Sequence, residues 1–222
     1  DVNENSDLTN MFNDAESMQS NQGVGDTPSI DYFNINIKPY IFTDKNTLQT
    51  AVNAWYSYGS KLYGDINEWD VSQITDFSEL FKGKWAFNSD ISNWDVSNGT
   101  DFESMFSGVN LFNQDISGWD VSNGKDFNKM FSLAYEFNQD ISGWDVSNGT
   151  NFESMFYRAY DFDQDIGSWD VSNGTDFSYM LSEARVFDQD ISSWDVSNGT
   201  NFKWMFSYAS VFNQDLGNRD VS

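Results

Sequence analysis

Apolar residues along this chain change their spacing within each short stretch, and the change recurs. In FNQDIS (112–117), Phe112, Gln114 and Ile116 alternate with Asn113, Asp115 and Ser117, the period of a strand with one inward face. Further on, Phe127, Met130, Phe131 and Ala134 stand at i, i+3, i+4 and i+7, which predicts a short helix with one apolar face. Between them WDVSNG reads as a corner. Trp119 and Val121 point inward, Asp120, Ser122 and Asn123 suit bonds to backbone groups, and Gly124 permits a positive φ. Thr100 and Thr150, followed three residues later by Glu103 and Glu153, match a capping box at the helix start, a pattern that Lys125 breaks in one copy.

The whole unit returns. Trp69, Trp94, Trp119, Trp144, Trp169 and Trp194 lie 25 residues apart, and Arg219 takes the next turn. A fixed period of this length is the mark of a solenoid. The expected architecture is an α/β solenoid over 63–222, ending in a half-repeat, a right-handed coil of short parallel strands and short helices with 25 residues per turn. A lone unit buries too little to fold, whereas stacked units set identical side chains about 4.8 Å apart. Ladders of Trp, Phe and Ile then form a continuous core, which accounts for an aromatic content of 18 %. The competing reading of the Trp ladder is an exposed, carbohydrate-stacking row.

Residues 16–62 fall outside the period. Gln19 to Pro28 reads as a loop, Phe33, Ile35 and Ile37 alternate as a strand, and Pro39 ends it. Leu48, Ala51, Val52 and Trp55 then mark an amphipathic helix with Thr43 or Asp44 as its cap, placed to cover the open apolar end of the stack.

With FTDKNTLQTAVNAWYSYGSKLYGDINEWDVS (42–72) upstream and FNQDISGWDVSNGTNFESMF (137–156) among the copies, residues 41–222 resemble the BspA-like surface-protein repeats. Those repeats are relatives of leucine-rich repeats, with units of about 25 or 26 residues. Where that family usually has an apolar residue, this chain has Gly99, Gly124, Gly149, Gly174 and Gly199. The resemblance implies a leucine-rich-repeat-like coil in an extracellular or cell-surface protein of adhesion or assembly, without enzymatic activity.

Composition narrows the chemistry. Thirty-five acidic residues against 11 basic ones give a net charge of −24, which repels nucleic acid and anionic membranes. Cys and His are absent, so thiolates, imidazole bases and the usual zinc sites are excluded. No apolar run approaches the roughly 18 residues that cross a bilayer, and the first residues lack signal-peptide character. No membrane insertion is expected.

Two rows of carboxylates repeat. One runs through the strand segment (Asp90, Asp115, Asp140, Asp165, Asp190), the other through the corner (Asp95, Asp120, Asp145, Asp170, Asp195). Stacked like charges repel unless hydrogen-bonded or bound to a cation. The corner row suits backbone N–H groups, while the strand row is the candidate for weak calcium binding. No other cofactor is expected. Repeated carboxylate pairs define no unique pocket in which two pKa values diverge, so no enzyme is expected. Asn98, Asn148, Asn173 and Asn198 lie in Asn-Gly-Thr acceptors for N-glycosylation, and the same residues suit turns.

Residues 1–15 align without a gap to 120–134: Val2, Met11, Phe12 and Ala15 match Val121, Met130, Phe131 and Ala134, and Leu8 stands for Phe127. This orphan second half of a repeat complements the first half at 212–222, which carries Phe212, Leu216 and Val221. The expected partner is therefore another copy joined head to tail, giving a filament or surface appendage. A fragment cut from a long array would show the same ends. The alternative is an adhesin or carbohydrate-binding solenoid recognising surface glycans, whose face would hold Tyr157, Tyr160, Tyr179, Trp204 and Tyr208. Those residues are equally suited to lateral packing or to shielding the stack. An ice-binding surface is a third reading, weakened by the lack of Thr ladders on the strand segment.

Overall fold

The computed structural model describes residues 40–217, without the side chain of Lys61. The chain divides into two units, Asp1–Ile37 and Lys38–Ser222, and the first falls outside the described residues. So do the half-repeat with Val2, Leu8, Met11, Phe12 and Ala15, the loop and strand expected between 16 and 39, and Arg219 and Val221.

Helix α1 (Lys45–Tyr58) begins where Asp44, in extended conformation, accepts the Thr47 N–H at 2.9 Å and the Thr47 hydroxyl at 2.6 Å. Its apolar side buries Leu48, Ala51 and Val52. Ahead of it, Ile41 bridges Asp70 in parallel, with Phe42 N–H donating to Asp70 O at 2.9 Å. Lys45 reaches the Asp76 carboxylate at 2.7 Å, and Gln49 Nε2 donates to Leu80 O at 2.9 Å. These bonds tie α1 to the first coil, while the Phe42 ring packs on Trp69 at 5.0 Å.

Successive coils are in register at 25 residues. Parallel bridges join Asp76 to Asp101, then to Asp126, Asn151, Asp176 and Asn201. Phe77, Phe102, Phe127, Phe152, Phe177 and Phe202 stack nearly parallel, with centroids 5.3–5.7 Å apart. Phe87, Phe112, Phe137, Phe162, Phe187 and Phe212 form a second column at 5.9–6.1 Å. Trp94, Trp119, Trp144, Trp169 and Trp194 are buried, and each indole N–H donates to an Ile carbonyl of the preceding coil, Trp144 Nε1 to Ile116 O at 3.1 Å for example. Aromatic area thus drives stacking, and the one polar atom of each indole is satisfied inside the core.

The short helices expected at positions such as 127–134 do not form; α1 is the one α-helix among the described residues. Each segment is instead two linked turns. Met130 N–H bonds Phe127 O and Ala134 N–H bonds Phe131 O, with Lys129 and Leu133 at φ of 55° and 62°, the arrangement of type II turns. The alternate donors point along the stack: Phe127, Lys129, Phe131 and Leu133 N–H bond the carbonyls of Asn151, Glu153, Met155 and Tyr157 at 2.7–2.9 Å. A helix would close those donors within the segment and remove these four bonds between coils. One isolated helix this short is also disfavoured by its nucleation cost.

The capping boxes are absent for the same reason. Thr100 Oγ1 donates to Thr75 O, and it is Asp101 that accepts the Glu103 N–H at 2.9 Å. The segment FNQDIS forms no strand either, although Phe112 and Ile116 are buried. Side chains replace backbone there: Asn113 Oδ1 accepts both Asn138 N–H at 3.0 Å and Gln139 Nε2 at 2.8 Å from the next coil. The corner glycines have no positive φ. A Cβ on Gly99 would lie 2.5 Å from Phe102 Cζ and 2.9 Å from Val96 O, so glycine makes room for the ring that follows it.

Candidate functional site

The strand-segment carboxylates are turn acceptors. Asp115 Oδ1 takes Ser117 N–H at 2.9 Å and its hydroxyl at 2.7 Å, and Asp140 takes the same groups of Ser142 at 3.0 and 2.7 Å. Asp90, Asp165 and Asp190 accept the N–H groups of Ser92, Gly167 and Ser192 at 2.8–2.9 Å. The Ser hydroxyls, and then the amides, hold Asp115 and Asp140 below the usual carboxylate range. In the corner row, Asp95, Asp120, Asp145, Asp170 and Asp195 each accept a Ser N–H two residues on at 3.0 Å. Among the described residues no group of three or more acidic side chains is arranged to hold a metal ion.

Asn98, Asn148, Asn173 and Asn198 are exposed at the corners. Each side-chain amide donates to a Ser carbonyl of the preceding coil, Asn148 Nδ2 to Ser122 O at 2.7 Å and the others at 2.8 Å. The atom that a glycan would modify is therefore already an inter-coil donor.

A third acidic row is not singled out by the sequence pattern. Asp76, Asp101, Asp126, Asn151, Asp176 and Asn201 occupy the bridge positions. Asn151 Nδ2 donates to Asp126 Oδ2 at 3.3 Å and Asn201 Nδ2 to Asp176 Oδ2 at 2.9 Å, while Lys45 neutralises Asp76. Asp101 stands between two carboxylates. Burial and the charges of Asp76 and Asp126 raise its pKa, against the opposing Glu103 N–H. The legible signal was the interchange of Thr-Asp-Phe and Thr-Asn-Phe between copies.

The turn segments carry the variation between coils. The first left-handed position holds Glu79, Ser104, Lys129, Ser154, Tyr179 and Trp204; the second holds Gly83, Gly108, Leu133, Arg158, Glu183 and Tyr208. Later coils place aromatic and charged side chains where earlier ones have glycine. Tyr135 and Tyr160 stack at 4.7 Å, Tyr179 meets Trp204 edge-on at 5.2 Å, and Arg158 pairs with Glu183 at 2.9 Å. Open clefts of about 400 Å³ lie among Tyr157, Tyr179, Glu183, Trp204 and Tyr208, and beside Arg185 and Ser210.

At the C-terminal side of the stack, Phe202, Phe206, Phe212 and Leu216 are half-buried. Their counterparts Phe127, Phe131, Phe137 and Ile141 are fully buried, because another coil lies over them. No helix among the described residues is long and apolar enough to cross a membrane.

The family model described as Mycoplasma protein of unknown function, DUF285, matches residues 48–161 and again 143–222. No curated protein and no solved structure matches the chain.

Proposed function

The chain belongs to the DUF285 family, and from that premise we propose that it is a structural protein of the cell surface whose coils form a solenoid and whose copies join head to tail. In this reading its repeats are of the BspA-like surface kind, and the protein carries no catalytic step. The supporting observation is the half-buried row Phe202, Phe206, Phe212 and Leu216, a coil face identical in kind to those that are covered elsewhere in the stack. The half-repeat at 1–15, with Val2, Leu8, Met11, Phe12 and Ala15, has the apolar spacing of the second half of a coil, as such a joint requires. A filament follows, because this contact does not close on itself.

Full burial of such side chains contributes about 1.5–3 kcal/mol each. These four are already mostly covered, so completing their burial contributes only roughly 1–4 kcal/mol in all. Inter-coil backbone bonds add about 0.5–1.5 kcal/mol apiece, against an association cost of about 4–15 kcal/mol. The joint is accordingly weak, so assembly is sought at micromolar to millimolar concentrations and is favoured where copies are crowded on a surface. Sedimentation velocity of the 222-residue chain across that concentration range tests the reading. Concentration-dependent growth that disappears in Leu216→Asp and on deletion of residues 1–15 supports it; a monomer at all concentrations, or growth indifferent to both changes, overturns it.

A further inference from the structure

We propose that the cleft beside Tyr179 and Trp204 binds a neutral pyranose unit of an oligosaccharide. The cleft spans the turn segments of three coils, the last of which, with Trp204, also carries the proposed joint, and the inference rests on a mismatch between backbone and side chain. Tyr179, Trp204 and Tyr208 occupy left-handed backbone at φ of 57°, 57° and 58°, a region that bulky residues rarely adopt. Earlier coils place Gly83 and Gly108, both at φ 71°, where Tyr208 stands in the last one. Burial does not offset this strain, since Trp204 is 61 % and Tyr208 81 % exposed. Left-handed side chains recur along the stack, Glu79 and Lys129 among them, but the large exposed aromatic ones, Trp204 and Tyr208, gather here, and strain retained at such residues without a packing return is a mark of a working surface.

The geometry suits a sugar. The rings of Tyr179 and Trp204 meet at 83°, so the cleft offers two aromatic planes at a right angle. A pyranose presents an apolar C–H face, which stacks on one plane, and a rim of hydroxyls, which needs donors and acceptors. Glu183 supplies an acceptor. Its Oε1 is fixed by Arg158 Nε at 2.9 Å and faces the Tyr157 hydroxyl at 3.5 Å, while Oε2 carries neither bond. The two clefts share Glu183 and Tyr208, which gives adjoining places for consecutive sugar units. Pairing of Arg158 with Glu183 cancels those two charges, Arg185 and Lys203 lie over the Tyr160 and Trp204 rings at 4.0 and 4.9 Å, and the chain's overall charge of −24 opposes an acidic glycan.

An array of neutral and acidic oligosaccharides probed with the 222-residue chain, followed by calorimetry on the tightest neutral hit, tests the assignment. The expected result is binding of neutral glycans that Trp204→Gly weakens about three- to tenfold, the loss of one aromatic contact. The melting temperature of that variant should hold or rise, because glycine relieves the left-handed strain. Trp85→Ala, which removes an equally exposed indole (60 %) outside the cleft, should leave affinity unchanged. Absence of neutral-glycan binding, preference for acidic glycans, an affinity indifferent to Trp204→Gly, or a lowered melting temperature in that variant would overturn the proposal.

Discussion

Replacing Asp101 by Asn should stabilise the protein. Equivalent residues of adjacent coils stand about 4.8 Å apart, where two unit charges repel by about 0.9 kcal/mol in water and about 3.5 kcal/mol at an effective dielectric of 20. The bridge row is half exposed, so the lower figure governs and salt reduces it further. Asp76, although paired with Lys45, and Asp126 both repel Asp101, together by about 1 kcal/mol. Asn at this position retains the turn, as Asn151 shows by accepting Glu153 N–H at 3.1 Å. It also gains an amide donor toward Asp76, the bond that Asn201 makes to Asp176, worth about 0.5–1 kcal/mol. The expected gain of about 1–2 kcal/mol corresponds to a melting temperature higher by about 3–6 °C at pH 7.

The gain has a defined pH dependence. A carboxyl whose folded pKa is raised contributes most below its unfolded value of 3.8, and that contribution is lost as pH rises through the folded value. The variant's advantage therefore grows with pH from 3.8 upward and shrinks in acid. Thermal melts followed by circular dichroism at pH 7 and pH 3 read both quantities. A melting temperature at pH 7 equal to or below that of the parent, or an advantage undiminished at pH 3, would refute the reasoning.

Lys129→Gly, at φ 55°, should raise stability by about 0.5–1 kcal/mol, the left-handed strain relieved less the added chain entropy, as read by thermal melting. Gly99→Ala should lower it by about 1–3 kcal/mol because the new methyl overlaps the Phe102 ring, a loss measurable by urea unfolding. Trp144→Phe keeps an aromatic ring but strips the buried Ile116 carbonyl of its donor, and the same assay should show a loss of about 1–3 kcal/mol. Hydrogen bonds from Ser hydroxyl and amide groups depress Asp115, Asp120, Asp140 and Asp170, so their stabilisation is complete above 3.8 and lost as pH falls through the depressed values; melts below pH 4 should show a steepening decline that Ser117→Ala moderates.

The period of 25 and the apolar columns were legible in the sequence because each copy repeats the same large side chains, and the burial of Trp144, Phe152 and Ile166 follows from that recurrence. Local geometry was less so. Phe127, Met130, Phe131 and Ala134 satisfy helical spacing, yet two linked turns of four residues place the same residues on one side. Spacing alone cannot separate the two, because it ignores where the backbone donors go. The useful signs were Gly83 and Gly108, glycines inside an apparent helix, at the turn position that requires positive φ.

Recurrence also divides the molecule by role. From Trp94 onward, Trp, Phe, Asp, Ser, Asn and Gly of the corner return because these coils share the same indole bond, the same carboxylate turn and the same gap beneath a Phe ring, whereas the first coil has Gln73 and Ile74 there and bonds Trp69 to Tyr63 O. What those constraints leave free is the pair of left-handed positions, whose side chains project from a backbone that any small residue would satisfy better. A stack built for stiffness alone would therefore drift toward glycine there. The first of the pair carries a side chain in every described coil, from Glu79 to Trp204, and the second loses its glycine after Gly108, so the residues that vary there, ending in Tyr179, Glu183, Trp204 and Tyr208, lie outside the constraints that fix each coil.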